Sequence, residues 1–308
     1  MADHSSIEWT QATWNPTTGC DRISPGCDHC YALTLAKRLK AMGNPKYQAD
    51  GDARTSGPGF GLTVHSSALN LPRQWRHPRM IFVNSMSDLF HPNVPTEFID
   101  DVFAVMADTP RHTFQLLTKR SKRMVDLADR LTWPLNLWVG VSIESDPYSY
   151  RANHLRRVPS AVRFVSAEPL LGPLPSLNLT QVDWLIAGGE SGHHSRPMHP
   201  EWARDLRDRC RDANVAFFFK QWGSWAPAYG PTAVTVAFDG STSVNFDREL
   251  ADTAVRMHRV SRATAGRVLD GDTWDQLPEP WSHMMVTRAD GGAGRERSRV
   301  GTVERLED

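Results

Sequence analysis

From residue 79 to residue 221 the chain repeats one theme: a short apolar run, a cluster of polar side chains, then a helical pattern. RMIFVNSMSDLF reads as a strand through Val83 that breaks into Asn84, Ser85, Ser87 and Asp88. HTFQLLTKR ends in Thr118, Lys119 and Arg120, and LNLWVGVSIES in Ser142, Glu144 and Ser145. VRFVSAEPLLG ends in Ser166 and Glu168, VDWLIAGGESG in Gly188, Gly189, Glu190 and Ser191, and AFFFKQWG in Lys220 and Gln221. Helices fill the intervals. Phe98, Ile99, Val102 and Met106 form one buried stripe, with Pro95 as the first helical residue. Met124, Leu127 and Leu131 form another, a third helix is expected around 147–157, and a fourth over 200–213.

Strands that alternate with helices predict parallel βα units, and near-continuous apolar strands predict a sheet covered on both faces. Polar residues follow all six strands. In a partial or complete parallel βα barrel of TIM-like type those positions meet at one mouth. An open doubly wound sheet needs polar groups only near its switch point, so the barrel is the expected architecture.

Ahead of this rhythm lies WNPTTGCDRISPGCDHCYALTLAKRL, residues 14–39. Cys20, Cys27 and Cys30 fall within eleven residues, in a segment that Pro16, Pro25, Gly19 and Gly26 keep out of regular structure. Ala32, Leu35, Leu39 and Met42 then recur at helical spacing, with Gly43 as a stop. Three thiolates on one loop can converge on a metal centre. A structural zinc site has four protein ligands, so zinc requires completion by His29, His65 or another histidine. An iron–sulfur cluster is held by thiolates, and three of them leave one iron open. Disulfides fit poorly, because three clustered cysteines do not pair evenly. Cys210 sits on the apolar face of its helix with Leu206 and Trp202 and reads as a core thiol.

Composition changes this picture little. The 308 residues suffice for a sizeable core, and 35 basic against 35 acidic side chains leave no global signature of nucleic-acid binding. No apolar run approaches a membrane span, and MADHSSIEW lacks the form of a secretory signal. A cytoplasmic protein with no membrane association is expected, and clustered cysteines fit a reducing compartment. The segments divide as a barrel with its cysteine loop over 1–225, an extension packed on it over 226–288, and a mobile tail over 289–308. Residues 44–61 form a polar, glycine-rich loop, and a hairpin is expected around Asp239 and Gly240.

NPTTGCDRISPGCDHCYA resembles the cluster loop of radical S-adenosylmethionine (radical SAM) proteins, especially the spore photoproduct lyase-like branch. Residues 7–225 as a whole resemble a phage-associated three-cysteine family grouped with them. The gap from Cys20 to Cys27 is longer than usual there, and His29 stands where an aromatic residue is common. The resemblance implies a partial barrel in which Cys20, Cys27 and Cys30 hold a 4Fe-4S cluster whose open iron chelates S-adenosylmethionine. Reductive cleavage of that cofactor would begin a hydrogen abstraction, with electrons from a donor such as flavodoxin or ferredoxin. NSMSD, LTKR and VSIES look like that branch's cofactor-binding strand ends. By that likeness Tyr31, Lys119 and Ser142 fall to the cofactor, Ser85 and Asp88 to cofactor or substrate, and Glu168 and Glu190 face substrate. The related enzymes repair DNA, so a nucleic-acid substrate is implied, with Arg120, Lys122, Arg123, Arg151, Arg156 and Arg157 as phosphate contacts; a partner protein is a further expectation. Two rival readings stand beside this one. The first is a zinc-stabilised binding or scaffold protein on the same barrel, and the second a zinc hydrolase using Glu168 or Glu190 as base.

Overall fold

The computed structural model describes residues 5, 7–227, 233–243 and 253–279. Seven strands form one parallel sheet in sequential order: β1 (Ala12–Trp14), β2 (Met80–Val83), β3 (Thr113–Thr118), β4 (Leu137–Ser142), β5 (Val162–Ala167), β6 (Trp184–Gly188) and β7 (Ala216–Gln221). The sheet curls into a partial barrel, and β1 and β7 are not paired with each other. The principal helices are α1 (Tyr31–Ala41), α2 (Thr96–Ala107), α3 (Ser121–Asp126), α4 (Tyr150–Leu155) and α5 (Pro200–Asp212). The α/β parallel barrel expected from the pattern is the fold observed.

Strand side chains alternate between two cores, as the two-residue period requires. Val139 and Val141 of β4, Val165 and Ala167 of β5, and Phe217 and Phe219 of β7 face the helical layer. The intervening residues face the lumen. There Trp9, Phe82, Trp138, Phe164, Trp184 and Phe218 fill the end nearer the strand amino termini. Their rings meet edge-on: Trp9 and Phe82 at 4.8 Å, Trp138 and Trp184 at 5.8 Å, Trp184 and Phe218 at 6.0 Å, the arrangement that aromatic quadrupoles favour. Gly140 is the small inward residue of β4, because a β-carbon there would lie 2.4 Å from the Phe164 ring.

Continuing along the same inward face, the rings give way to polar groups. β4 runs Trp138, Gly140, Ser142; β5 runs Phe164, Ser166 and then Glu168; β7 runs Phe218, Lys220. Aromatic packing therefore closes one end of the lumen and polar side chains line the other.

Several local expectations change. Leu35 is exposed on α1 and Met42, just past its end, is exposed too; the buried positions of α1 are Ala32 and Ala36, since the neighbouring loop covers only that narrower stripe. Pro95 precedes the first turn of α2 with extended backbone instead of opening it. The Asp239–Gly240 hairpin is present, but Val236 pairs with Thr242, so five residues make the turn. It belongs to a small antiparallel sheet ordered Trp225–Ala226, Val255–Arg259, Ala233–Val236, Thr242–Ser243. Beyond it, Phe219 N–H donates to the Trp274 carbonyl and Gln276 N–H to the Phe217 carbonyl, so residues 274–276 run along the outer edge of β7. The tail over 289–308 lies outside the described residues. Among the described residues no helix is long and apolar enough to cross a membrane.

Candidate functional site

A cavity of about 740 Å³ occupies the polar end of the lumen, within the range usual for ligand sites. Cys20, Cys27, Cys30, Tyr31, Ser85, Asp88, Lys119, Ser142, Glu168 and Glu190 all line it. They come from the cysteine loop, from the first turn of α1 and from the ends of β2 to β6. Ten positions scattered over 171 residues thus share one cavity.

The cysteine loop leaves the barrel after β1. Gly19 pairs in parallel with Ser87, and its positive φ brings it against the backbone of Gly61 so closely that a β-carbon would lie 2.2 Å from that carbonyl. Cys27 ends a 3₁₀ turn, Pro25–Cys27, and Cys30 immediately precedes α1. All three thiols are free and half-buried, whereas Cys210 is buried among core side chains, as read. Burial pushes the Cys20 thiol well above its usual range; Asp88 adds to this and Arg120 opposes it. Burial also raises Cys30, and amide hydrogen bonds from the first turn of α1 and the charge of Lys119 oppose the rise. A metal centre that takes thiolates must displace these protons.

Of the two histidines suggested as zinc ligands, His65 is engaged elsewhere and His29 lines the same cavity as the three cysteines. His65 bonds Thr18 Oγ1 at 2.8 Å, and His29 lies against His194 with ring centroids 5.9 Å apart. Among the described residues no three His, Cys, Asp or Glu side chains are gathered closely enough for one ion. A tetrahedral zinc with Zn–S of about 2.3 Å draws its sulfurs to about 3.8 Å apart. A cluster whose ligands sit on separate irons spreads them farther. The donor set, three soft thiolates lining one cavity, suits a thiolate-bound iron–sulfur cluster, and suits zinc where a fourth ligand joins them.

Around the loop the cavity wall is closely braced. Asn15 and Ser85 exchange hydrogen bonds at 3.1 and 3.2 Å, and Tyr31 Oη donates to the Ser85 carbonyl at 2.5 Å. Asp88 Oδ1 accepts from Phe90 N–H and Thr118 Oγ1, and Oδ2 accepts from Lys119 N–H. Glu144 is fully buried and lies 2.9 Å from Arg151 and 3.8 Å from Lys119. Burial alone would raise its carboxyl, but Lys119 and Arg151 outweigh this and hold it below the usual carboxylate range. Gly26 of the cysteine loop packs on Glu144, where a β-carbon would meet its side chain at 3.2 Å. Lys119 is consequently a half-buried, held cation with 17 % side-chain exposure and not a solvated rim charge.

The opposite side of the cavity is looser. Glu168 Oε1 lies 3.1 Å from Lys220 Nζ, and Ser166 Oγ donates to Oε2 at 3.3 Å. A carboxylate accepts about four hydrogen bonds, so capacity remains. Gln221 donates to Ser191, but its buried Oε1 has no hydrogen-bond partner. Glu190 differs: Arg196 donates to both of its oxygens, and that guanidinium also donates to the Pro25 carbonyl at 2.8 Å. This clamp ties the cysteine loop to the end of β6. Of the three acids expected to meet substrate, Asp88 and Glu190 are thus occupied in holding loops.

Three supporting roles escaped the sequence reading: Glu144 under the loop, Asn15 beside Ser85, and the pair His91 Nε2 to Asp21 Oδ2 at 2.8 Å next to Cys20. Two phosphate contacts are corrected. Arg151 is buried against Glu144 and the Ser142 carbonyl, and Arg156 donates to the carbonyls of Asn178 and Thr180. Both guanidiniums are engaged in packing the fold.

No curated protein matches the chain. Among solved structures it is similar to a cysteine-to-serine mutant of spore photoproduct lyase, at 12% identity over 71% of this chain and 78% of that one, with a TM-score of 0.46. It is similar to spore photoproduct lyase complexed with dinucleoside spore photoproduct at 13% identity, over 68% and 63% of the two chains, with a TM-score of 0.40. A double mutant of that enzyme with bound AdoMet and dinucleoside spore photoproduct gives 11% identity, 72% and 79% coverage and a TM-score of 0.42. The family model described as "Protein of unknown function (DUF5131)" matches residues 4–278, and the chain belongs to the DUF5131 family.

Proposed function

We propose that this chain is a radical SAM enzyme. The observation that carries the reading is that three free thiols of one loop line the same cavity as the polar residues that follow the barrel strands. Cys20, Cys27 and Cys30 would hold a 4Fe-4S cluster with one iron free of protein ligands. When bound, the cluster and S-adenosylmethionine supply one-electron reductive cleavage of the sulfonium, the electron coming from a low-potential donor such as a flavodoxin or ferredoxin.

The chain's own residues then have separable tasks. Lys119, held in place by Asp88 and Glu144, offers a fixed cation to the cofactor carboxylate. Ser142, Ser85 and Tyr31 supply hydroxyls beside it. The aromatic end of the lumen excludes water from below. Glu168 and Lys220 face the remaining space, where the unpartnered Gln221 carbonyl supports recognition of a hydrogen-bonding edge. A nucleobase in single-stranded or extruded form is the substrate class we infer.

Anaerobic reconstitution with iron and sulfide tests the class. About four irons per chain, as one cubane requires, and cleavage of S-adenosylmethionine on reduction are expected. Stoichiometric zinc with no uptake of iron under those conditions would overturn it. Anaerobic turnover with nucleic acid, followed by a search for modified nucleosides, tests the substrate class separately.

A further inference from the structure

Arg120 follows Lys119 at the end of β3, and the cofactor assignment leaves it without a role. Its backbone is fixed: Arg120 N–H donates at 2.8 Å to Thr118 Oγ1, which itself donates to Asp88. Its guanidinium turns towards the cysteine loop instead of towards solvent. Nη2 lies 3.7 Å from Cys20 Sγ, within reach of a sulfur hydrogen bond, and also donates to the Asp21 carbonyl at 3.2 Å. The buried Nε has no hydrogen-bond partner, and among the described residues no carboxylate forms an ion pair with this side chain. An arginine never titrates in a protein and is the most weakly hydrated of the cationic side chains, so its positive charge is a permanent part of the wall.

The three sulfurs are not equivalent. Cys27 has a neutral hydroxyl beside it, Ser24 Oγ at 3.8 Å. Cys30 faces the amides of the first turn of α1. Among the described residues Cys20 is the one with a cationic donor in hydrogen-bond reach. Asp21, the next residue, is itself pinned by His91 and by Thr55 Oγ1 at 2.6 Å, which anchors the loop beside Cys20.

We propose that Arg120 is a positioning and tuning residue for the three-cysteine centre, raising its reduction potential through a charge-assisted hydrogen bond to the Cys20 sulfur. The inference rests on the radical SAM reading above. One-electron reduction adds one negative charge to a thiolate-bound cluster, and a fixed cation with an N–H on a ligand sulfur favours the reduced form. The electron itself comes from the external low-potential donor; Arg120 neither gains nor loses a proton. The same geometry removes Arg120 from the set of phosphate contacts, because its head is committed to the loop.

The experiment is a potentiometric titration, followed by electron paramagnetic resonance, of anaerobically reconstituted wild type, Arg120→Met and Arg120→Lys. Poised at the wild-type midpoint, Arg120→Met should show a ratio of reduced to oxidised cluster about tenfold lower, equivalent to ~59 mV for a one-electron couple. Arg120→Lys should recover most of that ratio. An Arg120→Met protein with full iron content and an unchanged midpoint overturns the proposal. Should that variant fail to retain iron, wild type grown with isotopically labelled arginine decides: a guanidinium nitrogen coupled to the reduced cluster in pulsed measurements is expected, and no coupling overturns it. A wild type that takes up no cluster at all removes the radical SAM reading itself, an outcome separate from a changed or unchanged midpoint.

Discussion

The two halves of the cavity are built differently. On the side of β2 to β4, Asp88, Lys119 and Glu144 are tied to one another, to Thr118 and to Arg151, and the cysteine loop rests on them. On the side of β5 to β7, Glu168 and Lys220 hold each other, and Gln221 keeps an unused acceptor. A wall cross-tied by ion pairs and hydrogen bonds, with Glu144 Oε1 its one unpartnered carboxylate oxygen among those three side chains, holds one geometry and responds poorly to new partners, as suits a resident cofactor. A wall with spare hydrogen-bonding capacity can exchange partners with an incoming molecule. The contrast divides the cavity into a fixed half and a receptive half.

The largest effect that would break this division is expected at the sulfurs. Cys20→Ala, Cys27→Ala or Cys30→Ala should each lower bound iron from about four per chain to under about one. Cys210→Ala should keep the iron and cost about 1–2 kcal/mol in urea unfolding, the scale of a small core deletion. Iron retained after loss of a loop cysteine would remove the fixed half's purpose.

Next in size come the carboxylates. Glu144→Ala strands the buried Arg151 and should destabilise the fold by about 3–5 kcal/mol. Glu168→Gln should cost about 1–2 kcal/mol, since Lys220 can still reach water along its stem. Equal costs in denaturant melts would erase the difference between the halves. Smaller still, Lys119→Ala should weaken S-adenosylmethionine binding about tenfold, or ~1.4 kcal/mol, measured by calorimetry on the reconstituted protein. The same change at Lys220 should leave that affinity within about twofold.

The smallest effect lies behind the receptive half. Hydrogen bonds from Arg204, and then from Arg207, hold the Asp270 carboxyl down at about 2. A folded value below the unfolded one, about 3.9, stabilises the protein above pH ~4, and the contribution disappears as pH falls towards ~2. Asp270 is 35 % exposed, so screening limits the contribution to about 1 kcal/mol. Asp270→Asn should flatten the dependence of the urea midpoint across that window while leaving the other half's behaviour unchanged.

The architecture was legible because six of the strands announce themselves twice, first by an apolar run and then by a polar break. β1 escaped because three residues, Ala12 to Trp14, are too few to show a period. The lumen gradient was written in the alternation Phe164, Ser166, Glu168 and in Trp138, Gly140, Ser142, a signal that a reading by blocks passes over. Glu144 was visible as a polar strand end, but its office depends on Arg151, which a turn and a helix bring back against it. Arg196 is harder still: its contact with Pro25 joins residues 171 apart, and no local pattern carries such a distance. Pattern reveals which end of a strand is polar; only packing reveals which polar groups are already spoken for.

The three residues laid along the outside of β7 have a last consequence. A bare strand flank invites a strand from another molecule, and Trp274 to Gln276 deny that flank to strangers by hydrogen-bonding it first. They also stand where β1 would have to come to seal the ring. One short tether therefore discourages edge-to-edge clumping and keeps the cylinder ajar along its seam.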